Sequence, residues 1–432
     1  MAEVRPIRVA LLGAGSVGSQ VARLMHEHAE ELAERVGYPL ELAGVLVRDV
    51  NATRDSDIPA ELLTTEADAL IHSSDIVVEL MGGIEPAKEY LLTALRTGAD
   101  VVTANKALLS EAGNELFDVA ERVGAQLYFE AAVAAAIPIV RPLQESFAGD
   151  RLQRVLGIVN GSTNFILDQM DRFGTSLESA MAEARELGFL EADPTLDIEG
   201  YDAAQKAALL ASLAFHTLVT PEDVYREGIT GVTSELIADA KSNGYVVKLL
   251  AIADRIEEVG QERVSARVHP ALIPADHPLA AVHGGNNAVF VHAEFSGDLM
   301  FYGAGAGGVP TAAAVLGDLV TAARRRVLGG PGLVSTWDQR LDILNISEIE
   351  TKYLVRIEVT DAPGVLASIA RILSDKGISV ATLNQSASAN PSRATIIIGT
   401  HRAQEASMRA AVTELTNSDS VFEVTSVTRV EA

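Results

Sequence analysis

Three glycines near the start of the chain, Gly13, Gly15 and Gly18, stand in the order G-x-G-x-x-G between a strand-like run at residues 7–12 and a helical pattern at 17–32. That context constrains the fold more than any other feature. Gly13 makes a tight turn out of the strand, Gly15 lets backbone come close to an anionic group, and Gly18 lets helix and strand pack closely. Ser16 and Val17 then open a helix whose first N–H groups have no internal partner and whose dipole favours negative charge. The diphosphate of a dinucleotide fits such a helix start. The motif alone is weak, but the strand before it, the helix after it and its N-terminal position agree.

The pattern continues as a parallel sheet requires. Strand-like runs at 7–12, 40–47, 76–80, 100–103 and 126–129 alternate with helical or turn segments, which predicts an α/β fold with a Rossmann-type sheet covered by helices. From about 153 to 292 the pattern changes to longer helices, at 176–187, 202–215 and 245–256, mixed with extended segments. This reads as a second, mixed α/β domain. A Gly-rich stretch at 303–308 leads through Pro310 into a helical pattern at 312–328, which Gly329 and the glycines and proline after it stop. The tail reads strand 353–360, helix 364–376, strands 378–384 and 394–400, helix 404–415 and strand 422–427. That order is βαββαβ, a ferredoxin-like module. The expected domains are therefore 1–140 for the dinucleotide, completed by the helix 312–328, then 141–311, a connector at 329–351, and 352–432.

Composition narrows the function classes. With 432 residues, at about 100 to 200 per domain, two to four domains are expected. A net charge of −25 repels phosphate backbones and anionic lipid, so neither nucleic acid nor a membrane surface is an expected partner. The chain has no cysteine, which removes disulfides, thiolate metal sites and cysteine nucleophiles. The acid at Glu3 and the early Gly13 do not read as a signal peptide, and the apolar stretch 131–140 is far short of the roughly 20 residues a span requires. A cytoplasmic protein is expected.

Other motifs sit where chemistry would need them. Thr103-Ala104-Asn105-Lys106 follows the fourth strand-like run at its carboxyl end, the edge where open α/β sheets bind ligands; alone, Lys106 would read as an ordinary exposed charge. In residues 188–206, Asp202 and Lys206 are four apart at the start of a helix and share a face, as many surface ion pairs do. The acids before them, in a loop punctuated by glycine and proline, have no evident packing reason to be there. After the second strand comes Val47-Arg48-Asp49: Arg48 suits the 2′-phosphate of NADP, while Asp49 on the ribose of NAD is the alternative. The histidines show no metal spacing.

Taken together, residues 103–106, 159–167, 188–206 and 303–311 resemble homoserine dehydrogenase in its form with a C-terminal ACT domain, over essentially the whole chain. The resemblance implies NAD(P)-dependent interconversion of aspartate 4-semialdehyde and homoserine, on the route to threonine and methionine. It also implies roles. Lys206 would give and take the proton, Lys106 would assist at the carbonyl and touch the cofactor, Glu191 and Asp202 would bind the substrate's polar groups, and Asp197 would support the lysine. Gly188 and Gly307 would lie where backbone closes on the cofactor.

Residues 130–138 resemble the family's monovalent-cation loop, in which a carboxylate and backbone carbonyls hold sodium, here Glu130, Val133, Ala135 and Ile137. Hard cations prefer such oxygens, although alanines stand where glycines are usual, and a tight loop without an ion is the alternative. Asp361 and Gly364 resemble the ACT ligand turn, for which threonine is the implied effector. The family resemblance and the open edges of an ACT sheet lead to the expectation of a homodimer, or a homotetramer formed through the tails. Two other readings stand beside the enzyme: a sensor that binds nucleotide and amino acid without turnover, and a Rossmann oxidoreductase for another semialdehyde.

Overall fold

The computed structural model describes residues 5–53, 58–258, 260–329, 337, 339–387, 390 and 392–431. The glycine-rich helix stop beyond Gly329 and the first part of the expected connector, residues 330–336 and 338, lie outside them. The chain divides into two compact units, one of Met1–Gly161, Gln205–Glu222 and Gly285–Arg340, the other of Ser162–Ala204, Asp223–Gly284 and Leu341–Ala432.

In the first unit a six-stranded parallel sheet runs in the order Leu63–Thr64, Leu40–Leu46, Ile7–Leu12, Ile76–Glu79, Asp100–Thr103, Leu127–Tyr128. Its central strands are apolar on both faces because helices cover both, as parallel sheets require. Val9, Leu11, Val78 and Val102 pack in one core with Val315, Leu319 and Ala322 of the helix Gly308–Leu328. A remote helix thus joins the core of the N-terminal sheet. The helix expected at 17–32 is two, Ser16–Glu27 and Ala29–Val36, divided at His28, whose backbone leaves helical geometry. An antiparallel set of Leu152–Ile158, Asn286–Ala293 and Gly297–Ala304 also belongs to this unit.

The second unit corrects one expectation outright. Residues 245–256, read as a helix, lie in the strand Tyr245–Glu258, paired antiparallel with Gln261–Pro274 from Tyr245↔Pro274 to Glu258↔Gln261. The stretch is buried without interruption from Val247 to Ala253, so its apolar run has no period that separates strand from buried helix. A long partner strand decides between them.

The tail has the expected order, with strands arranged Val421–Val430, Glu350–Thr360, Arg393–Thr400, Val380–Ala387. Helices Val365–Asp375 and Glu405–Thr416 bury Ile369, Leu373, Met408 and Leu415 against Val355, Ile357 and Ile396. One edge is not open. Strand Val421–Val430 also pairs, in parallel, with Gln261–Pro274 through Ala271↔Arg429 and Leu272↔Val430. The opposite edge, Val380–Ala387, is exposed from Val380 to Ser386.

Candidate active site

The glycine loop has the geometry its sequence asks for. Gly13 takes φ +105, and a Cβ there would stand 2.8 Å from the carbonyl oxygen of Leu80. At Gly18 a Cβ would meet the Gly13 carbonyl at 2.1 Å, so helix and turn touch backbone to backbone, while Gly15 looks into open space. A second helix start converges on the first: a Cβ on Gly308 would lie 2.6 Å from the Ser16 carbonyl oxygen. Helices Ser16–Glu27 and Gly308–Leu328 therefore bring their positive ends to one place.

That place is a cavity of about 260 Å³. Ser16 and Val17 line it from one helix start, residues 305–308 and Thr311 from the other, and Ala132, Val133 and Ala135 from the short helix Ala131–Ala134 and the residue after it. Lys106 and Lys206, a hundred residues apart in sequence, both face it. Asn105, the residue before Lys106, caps the helix Lys106–Val123 by accepting the Leu108 N–H at 3.1 Å. Lys206 lies on Tyr201–Phe215 and donates from Nζ to the Val159 carbonyl at 2.7 Å. A pocket with two ammonium groups and two helix N-termini suits a phosphate-bearing cofactor and an oxygen that gains negative charge.

Arg48 and Asp49 are both exposed just beyond the strand Leu40–Leu46, and Asp49 accepts the Asn51 N–H at 2.8 Å in a local turn. In the second unit Gly188 takes φ +79, next to a loop tied down by Phe189, whose ring stacks on Phe165 at 4.7 Å between centroids. Glu191 is exposed; Asp197, on the short helix Thr195–Ile198, and Asp202 are half-buried. One acid of this segment has a plain structural use. Asp193 accepts both the hydroxyl and the N–H of Thr195, bonds that hold its carboxyl below the usual range.

The loop at 130–137 departs from the expected cation site in one respect. Glu130 is buried, and its carboxylate accepts the N–H groups of Ile139, Val140 and Arg141 and the Arg141 Nε, at 2.5 to 3.1 Å. Two donors on each oxygen fill its acceptor directions. The side chain does not fit a cation ligand, and only backbone carbonyls of this loop could serve. Ala135 does hold φ +53, the geometry that glycine would take more easily. Asp318, which accepts the Glu130 N–H at 2.8 Å, is pushed up to about 7 by burial and by the Glu130 charge. Among the described residues no group of three or more acids or histidines could hold a metal ion, and no helix is long and apolar enough to cross a membrane.

Residues 13–130 match the family model for the homoserine dehydrogenase NAD-binding domain, 138–320 that for homoserine dehydrogenase, and 353–418 that for the ACT domain. The chain is 51% identical to a homoserine dehydrogenase of Mycobacterium tuberculosis (strain ATCC 25618 / H37Rv), covering 99% of this chain and 98% of that protein. The chain belongs to the homoserine dehydrogenase family. A Bacillus subtilis (strain 168) homoserine dehydrogenase is 41% identical over 99% of both chains. The crystal structure of a homoserine dehydrogenase from Thiobacillus denitrificans superposes with a TM-score of 0.91 at 39% identity, over 99% of each chain. A hyperthermophilic archaeal homoserine dehydrogenase mutant in complex with NADPH matches at TM-score 0.62 and 27% identity, over 76% of this chain and 99% of that one.

The chain is thus an oxidoreductase with an NAD(P)-binding domain and a C-terminal ACT domain, and the sensor without turnover is not favoured. Reading the homoserine dehydrogenase sequence missed several residues that build the cavity, Gly308 and Thr311 among them. It also passed over Glu79, which has no exposed surface and accepts the Thr103 hydroxyl at 2.6 Å. An acid closing an apolar strand, Ile76-Val77-Val78-Glu79, was the signal for it.

Proposed function

We propose that the enzyme moves hydride between the nicotinamide of NADP and the aldehyde carbon of aspartate 4-semialdehyde, giving homoserine, and runs the reverse reaction with homoserine. The observation that carries this reading is the cavity that Lys106 and Lys206 share with the helix starts at Ser16 and Gly308. The bound nicotinamide supplies the hydride. The aldehyde oxygen then becomes an alkoxide, and Lys206 gives it a proton while Lys106 balances its charge. Glu191 and Asp202 bind the substrate's polar groups, its ammonium above all, and Asp197 supports Lys206. Gly13, Gly15, Ser16, Val17 and Gly18 hold the diphosphate, with Gly188 and Gly307 closing on the cofactor. Arg48, exposed beyond the second long strand, supports NADP over NAD.

Homoserine-dependent reduction of NADP⁺ and NAD⁺, followed by absorbance on the folded protein, tests the reading. Reduction of NADP⁺ at lower concentration than NAD⁺ is expected. No reduction of either would overturn the assignment of substrate.

The same reading gives the domain limits as 1–140 with the helix 312–328, 141–311 and 352–432, and places the enzyme in the cytoplasm. The ACT turn takes an amino acid, with threonine first to test: Gly364 has φ +93 and caps the helix Val365–Asp375, and Asp361 is exposed beside it. A homodimer, or a homotetramer through the tails, is the proposed assembly, and the exposed strand Val380–Ala387 is the edge left for it. Sodium at the loop 130–137 would rest on the carbonyls of Glu130, Val133, Ala135 and Ile137.

A further inference from the structure

Glu79 ends the strand Ile76–Glu79 with its neighbours Leu12 on one side and Thr103 on the other, so it sits at the carboxyl edge of the sheet between the glycine loop and Lys106. It has no exposed surface. Three neutral donors reach its carboxylate: Met81 N–H at 2.7 Å and Gly82 N–H at 3.0 Å on Oε1, and the Thr103 hydroxyl at 2.6 Å on Oε2. Thr103 Oγ1 in turn accepts the Asn105 N–H at 3.0 Å, and Asn105 Nδ2 donates to the Gly83 carbonyl at 2.6 Å. The bonds close a ring from residues 81–83 through Glu79 and Thr103 to Asn105 and back to Gly83.

Each member has its orientation set by its neighbours. Because the Thr103 proton goes to Glu79, its lone pairs face the Asn105 N–H; because Asn105 Nδ2 is held by Gly83, its Oδ1 is the end that caps the next helix. Lys106 is the first residue of that helix and faces the cavity. A polar side chain with no exposed surface needs hydrogen-bond partners, and Glu79 has three.

We infer that Glu79, Thr103 and Asn105 are positioning residues for Lys106: the buried carboxylate orders a hydrogen-bonded ring that fixes where the Lys106 helix begins. The inference rests on the reading of Lys106 as a group acting at the reacting oxygen. A displacement near 1 Å at such a group lowers turnover by up to about 10²-fold.

Thr103→Val keeps the shape and removes the hydroxyl; Thr103→Ser restores it. In the full-length enzyme, assayed where the variant is still folded, Thr103→Val should lower kcat by roughly 10- to 100-fold along with a lowered thermal midpoint, and Thr103→Ser should stay within about 3-fold of the parent. Asn105→Asp, which keeps the cap oxygen and loses the donor to Gly83, should share the loss and serves if Thr103→Val does not fold. Combined with Lys106→Ala, Thr103→Val should add less than about 3-fold, since both act through one group. Equal losses in the valine and serine variants, or losses that multiply with Lys106→Ala, would overturn the relay. Unchanged kcat in Lys106→Ala alone would instead defeat the reading of the lysine, and the relay with it.

Discussion

The guanidinium of Arg429 holds the carboxylate of Glu405 by two bonds, Nε to Oε2 at 2.8 Å and Nη2 to Oε1 at 2.7 Å, with both side chains almost wholly buried. Tyr353 donates its hydroxyl to the same carboxylate at 2.8 Å, and Arg429 reaches on to Glu227 at 3.0 Å. The last strand of the ACT sheet is thereby tied by charge to a segment outside that domain.

Removing one partner strands the other's charge in a dry setting. Arg429→Met should destabilise the protein by about 3 to 5 kcal/mol, read from the shift of the urea midpoint. Adding Glu405→Met should recover part of the loss, because the most deeply buried unpaired charge is then gone, while Glu227 and Arg409, which also lose a partner, are exposed enough to be hydrated. A double variant less stable than Arg429→Met would contradict this.

The same pair sets an acid limit. Burial alone would raise the Glu405 carboxyl, but the bonds and charge of Arg429, with Tyr353 and Arg409, outweigh it and hold the group at about 2. Unfolded glutamate titrates near 4.3, so the folded form binds fewer protons between those values. The stabilisation, about 3 kcal/mol, is fully present above the unfolded value and is lost as pH falls toward 2. Denaturation midpoints should drop over that window in the parent and less steeply in Glu405→Gln; parallel curves would rule the pair out as the cause.

Lys206→Ala should lower kcat by about 10² to 10⁴, the usual worth of a positioned acid–base group, with cofactor affinity nearly unchanged. Steady-state kinetics and fluorescence titration with NADPH separate the two. Collapse of cofactor binding would reassign Lys206 to the cofactor.

Arg48→Ala should weaken NADPH more than NADH, since only NADPH carries the 2′-phosphate. The loss of one charge-assisted contact is worth roughly 1.5 to 3 kcal/mol. Equal weakening of both cofactors would remove the phosphate role, and greater weakening of NADH would point to the ribose.

The proposed control by threonine is better tested in the full chain than by cutting the tail away. Arg267, buried, pairs with Asp254 at 2.7 Å and with Glu431 at 3.0 Å, so truncation after Ser347 removes one of its two carboxylates along with the short parallel pairing of Gln261–Pro274 to Val421–Val430. A lowered thermal midpoint is expected for the truncated chain. Asp361→Ala should raise the threonine concentration for half-inhibition at unchanged kcat, by a factor matching a coupling of about 1 to 3 kcal/mol at most. Inhibition identical to the parent would move the effector site elsewhere.

What the amino-acid order carried was local or periodic. The strand, glycine turn and helix at 7–27 follow from neighbours within one turn of each other, as does the βαββαβ order of the tail, and it was the resemblance of residues 103–106 and 188–206 to homoserine dehydrogenases that singled out Lys106 and Lys206. Relationships between distant residues needed the tertiary structure. The buried run at 247–253, apolar but for Lys248, suits a buried strand and a buried helix alike until Gln261–Pro274 lies beside it. Glu130 looks like a free oxygen ligand until the chain folds its carboxylate onto residues 139–141. Glu79 and Thr103, 24 positions apart, meet because parallel strands place their ends side by side. A side chain's partners are set by which backbones pack together, and long-range packing has no period that a single sequence displays.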